Sequence, residues 1–151
     1  MNSLSAVERT TVREVRESDI ETFCEHRTDP EASAMGGFEP RDRDAVVARW
    51  HEIMADPNIT AWTVVVGAAV AGNMVSWLHE KGHREIGYWI GREFWGRGVA
   101  TEAVRLLLEI ETRRPLEGWT AQHNLASGRV LEKNGFVYDR DEDGFRVFRL
   151  L

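Results

Sequence analysis

A glycine-bearing loop, Gly91 to Glu102 (GREFWGRGVATE), has the residue types and spacing of an anion-binding site. Gly96 and Gly98 stand two residues apart, and the small residues Ala100 and Thr101 open a strongly helical run behind them. Unpaired backbone N–H groups in a first helical turn point towards an anion, and the helix dipole favours its negative charge. Glycine lets the backbone approach an oxygen atom more closely than a residue with a Cβ does. The loop therefore predicts a phosphate site.

Two other chemistries of glycine-rich loops fit this segment poorly. A nucleoside-triphosphate loop needs Gly-Lys-Ser/Thr, but Gly98 is followed by Val99 and Ala100. A dinucleotide fingerprint needs a third glycine where this chain has Thr101. Triphosphate hydrolysis and dinucleotide binding are therefore disfavoured.

The residues around the loop predict the elements that hold it. Arg84 to Ile90 has the composition of a strand, and the loop leads from it into a helix. The apolar face of that helix comprises Ala103, Val104, Leu107 and Leu108, widened by Leu106 and Ile110. A short strand, Gly118 to His123, comes next. Asn124 then predicts the N-cap of a last helix, and Gly135 the left-handed residue after its end.

The remaining segments predict an α/β fold with a mixed sheet. Ser18 and Glu21 form a capping box that predicts a helix to about Arg27, and Asp42 or Asp44 is expected to cap the next one. Pro30 to Pro40 is expected to be a loop. The strand segments are Thr10 to Val15, the hairpin Thr60 to Val66 with Ala69 to His79, and the hairpin Phe136 to Asp139 with Phe145 to Leu150.

Composition limits the classes of protein to which the chain can belong. Its 151 residues suit one domain, and its net charge of -6 disfavours nucleic-acid binding through a basic surface. No apolar run reaches the roughly 20 residues of a membrane span, and the start of the chain lacks a signal-peptide core. Cys24 is the single cysteine, and its helical pattern predicts a small core residue. We expect a cytoplasmic protein without disulfides.

Two segments together indicate a family. EIGYWIGREFWGRGVATEAVRLLLE, followed by a short strand and then HNLASGRVLEKNGF, resembles the GNAT superfamily of acetyl-CoA-dependent N-acetyltransferases. The chain looks most like the RimJ/RimL branch, whose opening strand and helix VREVRESDIETFCEH also resembles. The resemblance implies a single GNAT domain over residues 1–151, with a mostly antiparallel mixed sheet flanked by about four helices. It also implies acetyl-CoA as cosubstrate and no metal.

The resemblance assigns cofactor contacts residue by residue. The family's Q/R-x-x-G-x-G/A loop falls on Trp95, Gly96, Arg97, Gly98, Val99 and Ala100, with Thr101 following. Trp95 departs from the usual Gln or Arg, but the backbone N–H groups that bind pyrophosphate are unaffected. The backbone of Trp89, Ile90 and Gly91 is expected to bond the pantetheine arm. Asn124 and Ser127 resemble the residues at the pantetheine end.

Acetyl transfer to an amine needs a base for the amine and an acid for the departing thiolate. Glu85 resembles the base of some members, and the alternative is a surface strand residue at a turn, salt-bridged to Arg84 or a neighbour. Leu131 stands where the family often has a tyrosine that acts as the general acid. Ser127 resembles the acid of the RimL type, and the alternative is a residue that only satisfies the helix start.

Other polar residues are secondary candidates. Tyr138 and Tyr88 are fallback hydroxyls, although strand alternation predicts that Tyr88 packs in the core. His79 and His83 flank a turn, which favours a solvated pair over a zinc site. The loop from Met35 to Phe38 is expected to border the acceptor site, either as a lid or as an ordinary connection.

The sequence as a whole predicts an N-acetyltransferase that moves the acetyl group to a primary amine by direct transfer in a ternary complex. The acceptor is a protein N-terminus or a small amine, and the acidic chain favours a cationic one slightly. A monomer and a homodimer are both compatible with the pattern. A catalytically silent acyl-CoA-binding sensor of the same fold remains the alternative.

Overall fold

The computed structural model describes residues 4–151 and contains one seven-stranded sheet. Its strands are β1 (Thr10–Glu14), β2 (Ile59–Val66), β3 (Ala69–Leu78), β4 (Arg84–Ile90), β5 (Leu116–Ala121), β6 (Val137–Glu142) and β7 (Phe145–Leu150). They lie in the order β1-β2-β3-β4-β5-β7-β6, and every neighbouring pair is antiparallel except β4 and β5. The expected mixed, mostly antiparallel sheet is confirmed.

Five α-helices in residues 4–151 flank the sheet. They are α1 (Ile20–Thr28), α2 (Pro30–Gly36), α3 (Arg43–Ala55), α4 (Val99–Ile110) and α5 (Leu125–Lys133). No helix in the described part of the chain is long and apolar enough to cross a membrane.

The two faces of the sheet carry separate apolar clusters, as strand alternation requires. On one face, α4 and α5 bury Val104, Leu107 and Leu131 completely. On the other face, α1 and α3 contribute a second cluster: Ile20, Phe23, Cys24, Val46, Trp50 and Ile53. The predicted core position of Cys24 is confirmed. Full burial of a Leu or Phe side chain contributes about 1.5–3 kcal/mol, so both helix layers are held by packing.

The parallel strands β4 and β5 separate after a short pairing. Their register joins Arg84 to Leu116, Glu85 to Glu117 and Ile86 to Gly118, and it stops there. The rest of β4, residues 87–90, has no strand partner on that side. This opening is called the β4–β5 cleft below.

The structure corrects three local predictions. Residues 30–36 form helix α2 instead of a loop, because Asp29 accepts a hydrogen bond from Glu31 N and Pro30 suits a first helical turn. The Ser18 capping box is wrong, since the Asp19 carboxylate accepts from Arg16 N at 2.8 Å instead. Ile110 is 53% exposed and does not pack deeply.

Two buried carboxylates tie the helices to the sheet. Asp19 accepts hydrogen bonds from Arg13 at 2.8 and 2.9 Å and from Thr63 on β2 at 2.7 Å. Burial alone would raise the pKa of Asp19, but these bonds lower it to about 2. At the end of α4, Glu111 is bound by Arg113 and by Ser76 of β3, which likewise outweigh burial and lower its pKa to about 2.

Candidate active site

The glycine loop forms an open cradle at the start of α4. Gly96 and Gly98 have φ angles of 73° and 78°, a left-handed conformation that glycine adopts readily. The first helical hydrogen bond of α4 runs from Glu102 N to Gly98 O at 3.1 Å. The amides of Val99, Ala100 and Thr101 are therefore not used by the helix, as at any helix start, and can bind an anion.

Trp95, which departs from the family's loop pattern, has a structural role. Its indole Nε1 donates to the carbonyl oxygen of Ile90 at 2.9 Å. This bond attaches the loop to the end of β4 through a side chain, so the backbone of the loop remains available to a ligand.

The open edge of β4 includes Ile90 but not the other two residues, Trp89 and Gly91, that the sequence suggested. Gly91 N donates to Ala71 O at 2.8 Å, and the Trp89 carbonyl faces Gly72, so both residues direct their backbone groups to β3. Because these groups alternate along an antiparallel strand, those of Tyr88 and Ile90 face the β4–β5 cleft. The backbone groups of Trp89 and Gly91 are thus directed away from the cleft, and on the cleft side the Ile90 carbonyl already accepts from Trp95.

A cavity of about 440 Å³, called the main cavity, joins the loop to the β4–β5 cleft. The predicted cofactor residues that line it are Trp89, Ile90, Trp95, Gly96, Gly98, Val99, Ala100, Thr101, Asn124 and Ser127. Gly91 and Arg97 do not line it. Arg129 and Lys133 of α5 do, and the sequence interpretation missed them, although their spacing of four residues places them on one helix face. Their positive charges suit a ligand with several phosphates.

The start of α5 brings two hydroxyl groups together in this cavity. Asn124 caps the helix as predicted, because its Oδ1 accepts from Ser127 N at 3.2 Å. The Tyr88 hydroxyl lies 2.6 Å from Ser127 Oγ. Burial raises the pKa of Tyr88 to about 12 although the bond to Ser127 lowers it, so the phenol keeps its proton at neutral pH. The expectation that Tyr88 only packs in the core is incomplete, since its ring packs but its hydroxyl reaches the cavity.

The side chain of Glu85 lies on the face of β4 opposite to that of Tyr88, and Glu85 is 9% exposed. Its Oε1 lies 3.2 Å from His83 Nε2 and 3.7 Å from His79 Nε2. Of the expected alternative, a surface residue paired with Arg84 or a neighbour, the pairing with a neighbour is present, since His83 contacts Glu85. Glu85 is not at the surface, and Arg84 turns to the other face and lies 3.7 Å from Glu111. Glu85 is thus held by imidazoles and does not line the main cavity.

The two histidines are close together, as predicted, but they are half-buried instead of solvated. Their rings stack with centroids 4.5 Å apart, and with Glu85 they could share a metal ion. However, His79 Nδ1 accepts a hydrogen bond from Lys81 N at 3.1 Å. A neutral imidazole that accepts at Nδ1 carries its proton on Nε2, the atom facing Glu85. In this tautomer Nε2 carries a hydrogen towards Glu85 Oε1, 3.7 Å away, and has no free lone pair for a metal ion.

Helix α2 closes the β4–β5 cleft from outside. On one side, Arg92, which follows β4, pairs with Asp29 at 3.0 Å and with Glu31. On the other side, His123, which follows β5, lies with Nε2 2.8 Å from Ala34 O. Ala32, Met35 and Gly36 then line the main cavity. The region expected to border the acceptor site is therefore an anchored helix and its C-cap.

Comparison with known proteins agrees with this geometry. A family model described as an acetyltransferase (GNAT) domain matches residues 9–137. The chain therefore belongs to the GNAT acetyltransferase family.

Individual relatives are distant. An uncharacterized N-acetyltransferase p20 of Bacillus licheniformis is 29% identical over 113 residues, which are 68% of this chain and 62% of that protein. A GNAT-family acetyltransferase from Bacillus anthracis superposes with a TM-score of 0.81 at 17% identity, over 95% of each chain. The spermidine N-acetyltransferase of Vibrio cholerae, solved with CoA and spermine, gives 0.78 at 16% identity over 93% of each chain. At these identities the superpositions establish the fold alone.

Proposed function

We propose that the protein is an N-acetyltransferase that moves the acetyl group of acetyl-CoA to a primary amine, by direct transfer in a ternary complex. One observation carries the proposal: a backbone anion cradle at α4 and the unpaired edge of β4 open into the same cavity. A diphosphate and an amide-bearing arm are what these two surfaces are built to bind. Acetyl-CoA contains both, and when bound it supplies an acetyl group activated as a thioester.

The proposed cofactor contacts divide between backbone and side chain. The amides of Val99, Ala100 and Thr101 bind the pyrophosphate, while the edge of β4 and the Nδ2 group of Asn124 bind the pantetheine arm. Arg129 and Lys133 offer charge to a further phosphate. The RimJ/RimL branch remains part of the proposal, supported by the sequence around Trp95.

Glu85 is the proposed base. It shares its strand face with Trp89 by alternation, and it lies two residues before Gly87, where β4 loses its partner. From this face a carboxylate can accept a proton from an incoming ammonium, directly or through water. Its hydrogen bond to His83 fixes the carboxylate and offers a path for the proton to leave.

Ser127 is the proposed acid, supported by Tyr88. The phenol of Tyr88 has two acceptors on Ser127, Oγ at 2.6 Å and the backbone oxygen at 3.1 Å. When it donates to Oγ, the Ser127 hydroxyl proton is free to be given to the departing thiolate. Because burial keeps Tyr88 protonated, the phenol has a proton to donate throughout the neutral range. Leu131, at the position where the family often has its general acid, is completely buried and supplies no proton to the thiolate.

Release of free coenzyme A is the direct test. The protein is incubated with acetyl-CoA and a panel of primary amines, and the thiol formed is measured against a sample without amine. We expect amine-dependent release that Ser127→Ala reduces at least tenfold. Stabilisation by acetyl-CoA without release for any amine would contradict the proposal and favour the silent sensor.

A further inference from the structure

A second cavity lies on the other face of the sheet, between α1, α3 and strands β3 and β4. Its volume is about 180 Å³, and Trp89 lines both it and the main cavity. The two cavities are therefore neighbours across one indole side chain. An acceptor that approaches from the face opposite the α4 cradle would meet this second cavity beside the proposed reaction centre.

The charge of the second cavity is positive. Arg27, Arg41 and Arg49 line it, and no acidic side chain does. Arg49 pairs with Glu52 at 3.1 Å, but neither of the other two has an ion pair among residues 4–151. Burial lowers the pKa of Arg27, and the charge of Arg41 lowers it further. Two neighbouring arginines without counter-ions are thus held at one small cavity.

The position of Arg27 is fixed by contacts that leave its charge uncompensated. Its Nη1 donates to Ser33 Oγ and to Glu39 O, each at 3.0 Å, which are neutral acceptors. Its guanidinium carbon lies 4.9 Å from the ring centre of Trp89 and 5.4 Å from that of Phe38. Stacking on aromatic rings orders a guanidinium while leaving donors at its edge for a ligand.

Trp89 supplies an independent observation. Its indole Nε1 is buried and has no hydrogen-bond partner in the described structure. A buried donor without a partner costs free energy, and a bound ligand is one of the things that can satisfy it. Asn73 also lines the cavity, and its amide offers both a donor and an acceptor, but the charged and buried unmatched groups, the N–H groups of the arginines and the indole N–H of Trp89, are donors. What would satisfy them is an anionic oxygen.

We propose that the second cavity binds an anionic group of the acceptor, a carboxylate or a phosphate, through Arg27, Arg41 and the indole N–H of Trp89. This inference rests on the proposed function and narrows it to amines of the amino-acid type. Arginine binds both anions through paired N–H groups. The net charge of -6 favours a cationic acceptor, but charges farther than about 8 Å are screened at physiological salt, so the local arginines decide.

Matched pairs of acceptors test the proposal. Alanine and alaninamide, and phenylalanine and phenylalaninamide, differ in the carboxylate, while phosphoethanolamine and ethanolamine differ in the phosphate. We expect kcat/KM at least tenfold higher for the anionic member of one type of pair, after correction for the fraction of free amine, and the type identifies the anion. Equal values, or higher values for the uncharged members and for spermine, would overturn the inference.

Variants separate this site from the rest of the surface. Arg41→Gln should remove most of the preference, and it should fold normally because Arg41 is exposed and bonded to no described side chain. Arg16→Gln changes the net charge equally at an exposed position on a different element and should keep the preference. Trp89→Phe should reduce it by removing one donor. A preference that survives Arg41→Gln together with Trp89→Phe would contradict the assignment.

Failure of this inference can be told apart from failure of the proposed function. Each acid and amide is also titrated calorimetrically into protein saturated with coenzyme A, a measurement that needs no turnover. Tighter binding of the acid without acetyl transfer would overturn the enzyme proposal and support the anion site. Transfer to amides and acids alike, with equal affinities, would support the enzyme proposal and overturn the anion site.

Discussion

The two faces of β4 are equipped in different ways. Towards the main cavity the binding groups are largely backbone: the left-handed glycines of the loop, the first amides of α4 and the open edge of the strand. Towards the second cavity they are side chains from separate elements, Arg27 on α1, Arg41 before α3 and Trp89 on β4. The main cavity therefore binds largely through backbone groups, and the second cavity binds through side chains.

This difference indicates which site tolerates substitution. A site of backbone amides keeps its function when a side chain changes, and Trp95 illustrates this by fastening the loop to Ile90 where the family pattern has Gln or Arg. A site of side chains changes its ligand with a single residue. We therefore expect the cofactor to be common to the family and the acceptor to be particular to this chain.

The largest effect is expected from a charge placed in the cradle. Gly96→Asp adds a carboxylate beside the pyrophosphate, and two unit charges about 4 Å apart near a surface repel by about 4 kcal/mol, or roughly a thousandfold in affinity. Coenzyme A binding is measured by calorimetry. No Cβ clash occurs, because nothing lies within 4 Å of the added atom.

Two controls isolate the charge. Gly96→Asn has the same shape without the charge and should bind much more tightly than Gly96→Asp. Gly82→Asp has the same left-handed backbone, φ 92°, in open space at a distant turn, and should bind like the wild type. Affinity of Gly96→Asp close to that of Gly96→Asn would refute the pyrophosphate assignment.

On the other face, Glu85→Gln should lower kcat by about a hundredfold, since general bases contribute 10²–10⁴-fold. The dependence of kcat on pH should also change, while the affinity for coenzyme A should not. Glu80→Gln, in the exposed turn before β4, is the matched control. An unaltered pH profile with normal kcat would return Glu85 to a purely structural role.

Acid should lower the stability of the fold, because the buried carboxylate of Asp19 contributes to it only while it is ionised. Asp19 has a pKa of about 2 in the fold against its ordinary value of 3.8, so it stabilises the fold above pH 4 by on the order of 2 kcal/mol. That contribution is lost as pH falls from about 4 to about 2, because the proton then binds the unfolded state more readily. Denaturant unfolding of Asp19→Asn should show a smaller loss over this range. An identical pH dependence in both proteins would contradict the bonding around Asp19.

The smallest effect is expected at Tyr88. Tyr88→Phe keeps the ring and removes the hydroxyl bonded to Ser127, so stability should fall by about 1 kcal/mol and kcat by several-fold. The affinity for coenzyme A should change little. A variant with wild-type kcat would show that Ser127 needs no support from the phenol.

The sequence predicted the features that depend on the backbone, such as helix caps and left-handed glycines, well. Glycine position, capping and periodicity are local properties of a sequence. The Asp42 cap, the Asn124 cap and the left-handed Gly135 are all present. Helix α2 was missed because Gly36 and Gly37 resemble a loop, whereas Gly37 is the left-handed cap of a short helix anchored by Arg92 and His123.

The contacts between side chains that are distant in the sequence could not be predicted in the same way. The proximity of Tyr88 to Ser127 spans 39 residues and depends on how α5 packs against β4. Arg27 and Arg41 meet only because α1 and α3 pack on the same sheet face. Neither pairing follows from a periodicity or a motif, since tertiary packing decides which distant side chains converge.

Thermal unfolding with and without acetyl-CoA, coenzyme A, ATP and NAD tests the central claim most directly. A ligand at a hundred times its Kd stabilises the folded state by about 2.7 kcal/mol, which is roughly 5–10 °C for a chain of this size. We predict that acetyl-CoA and coenzyme A raise Tm and that ATP and NAD do not. No rise with acetyl-CoA, or an equal rise with ATP or NAD, would contradict the assignment of the main cavity.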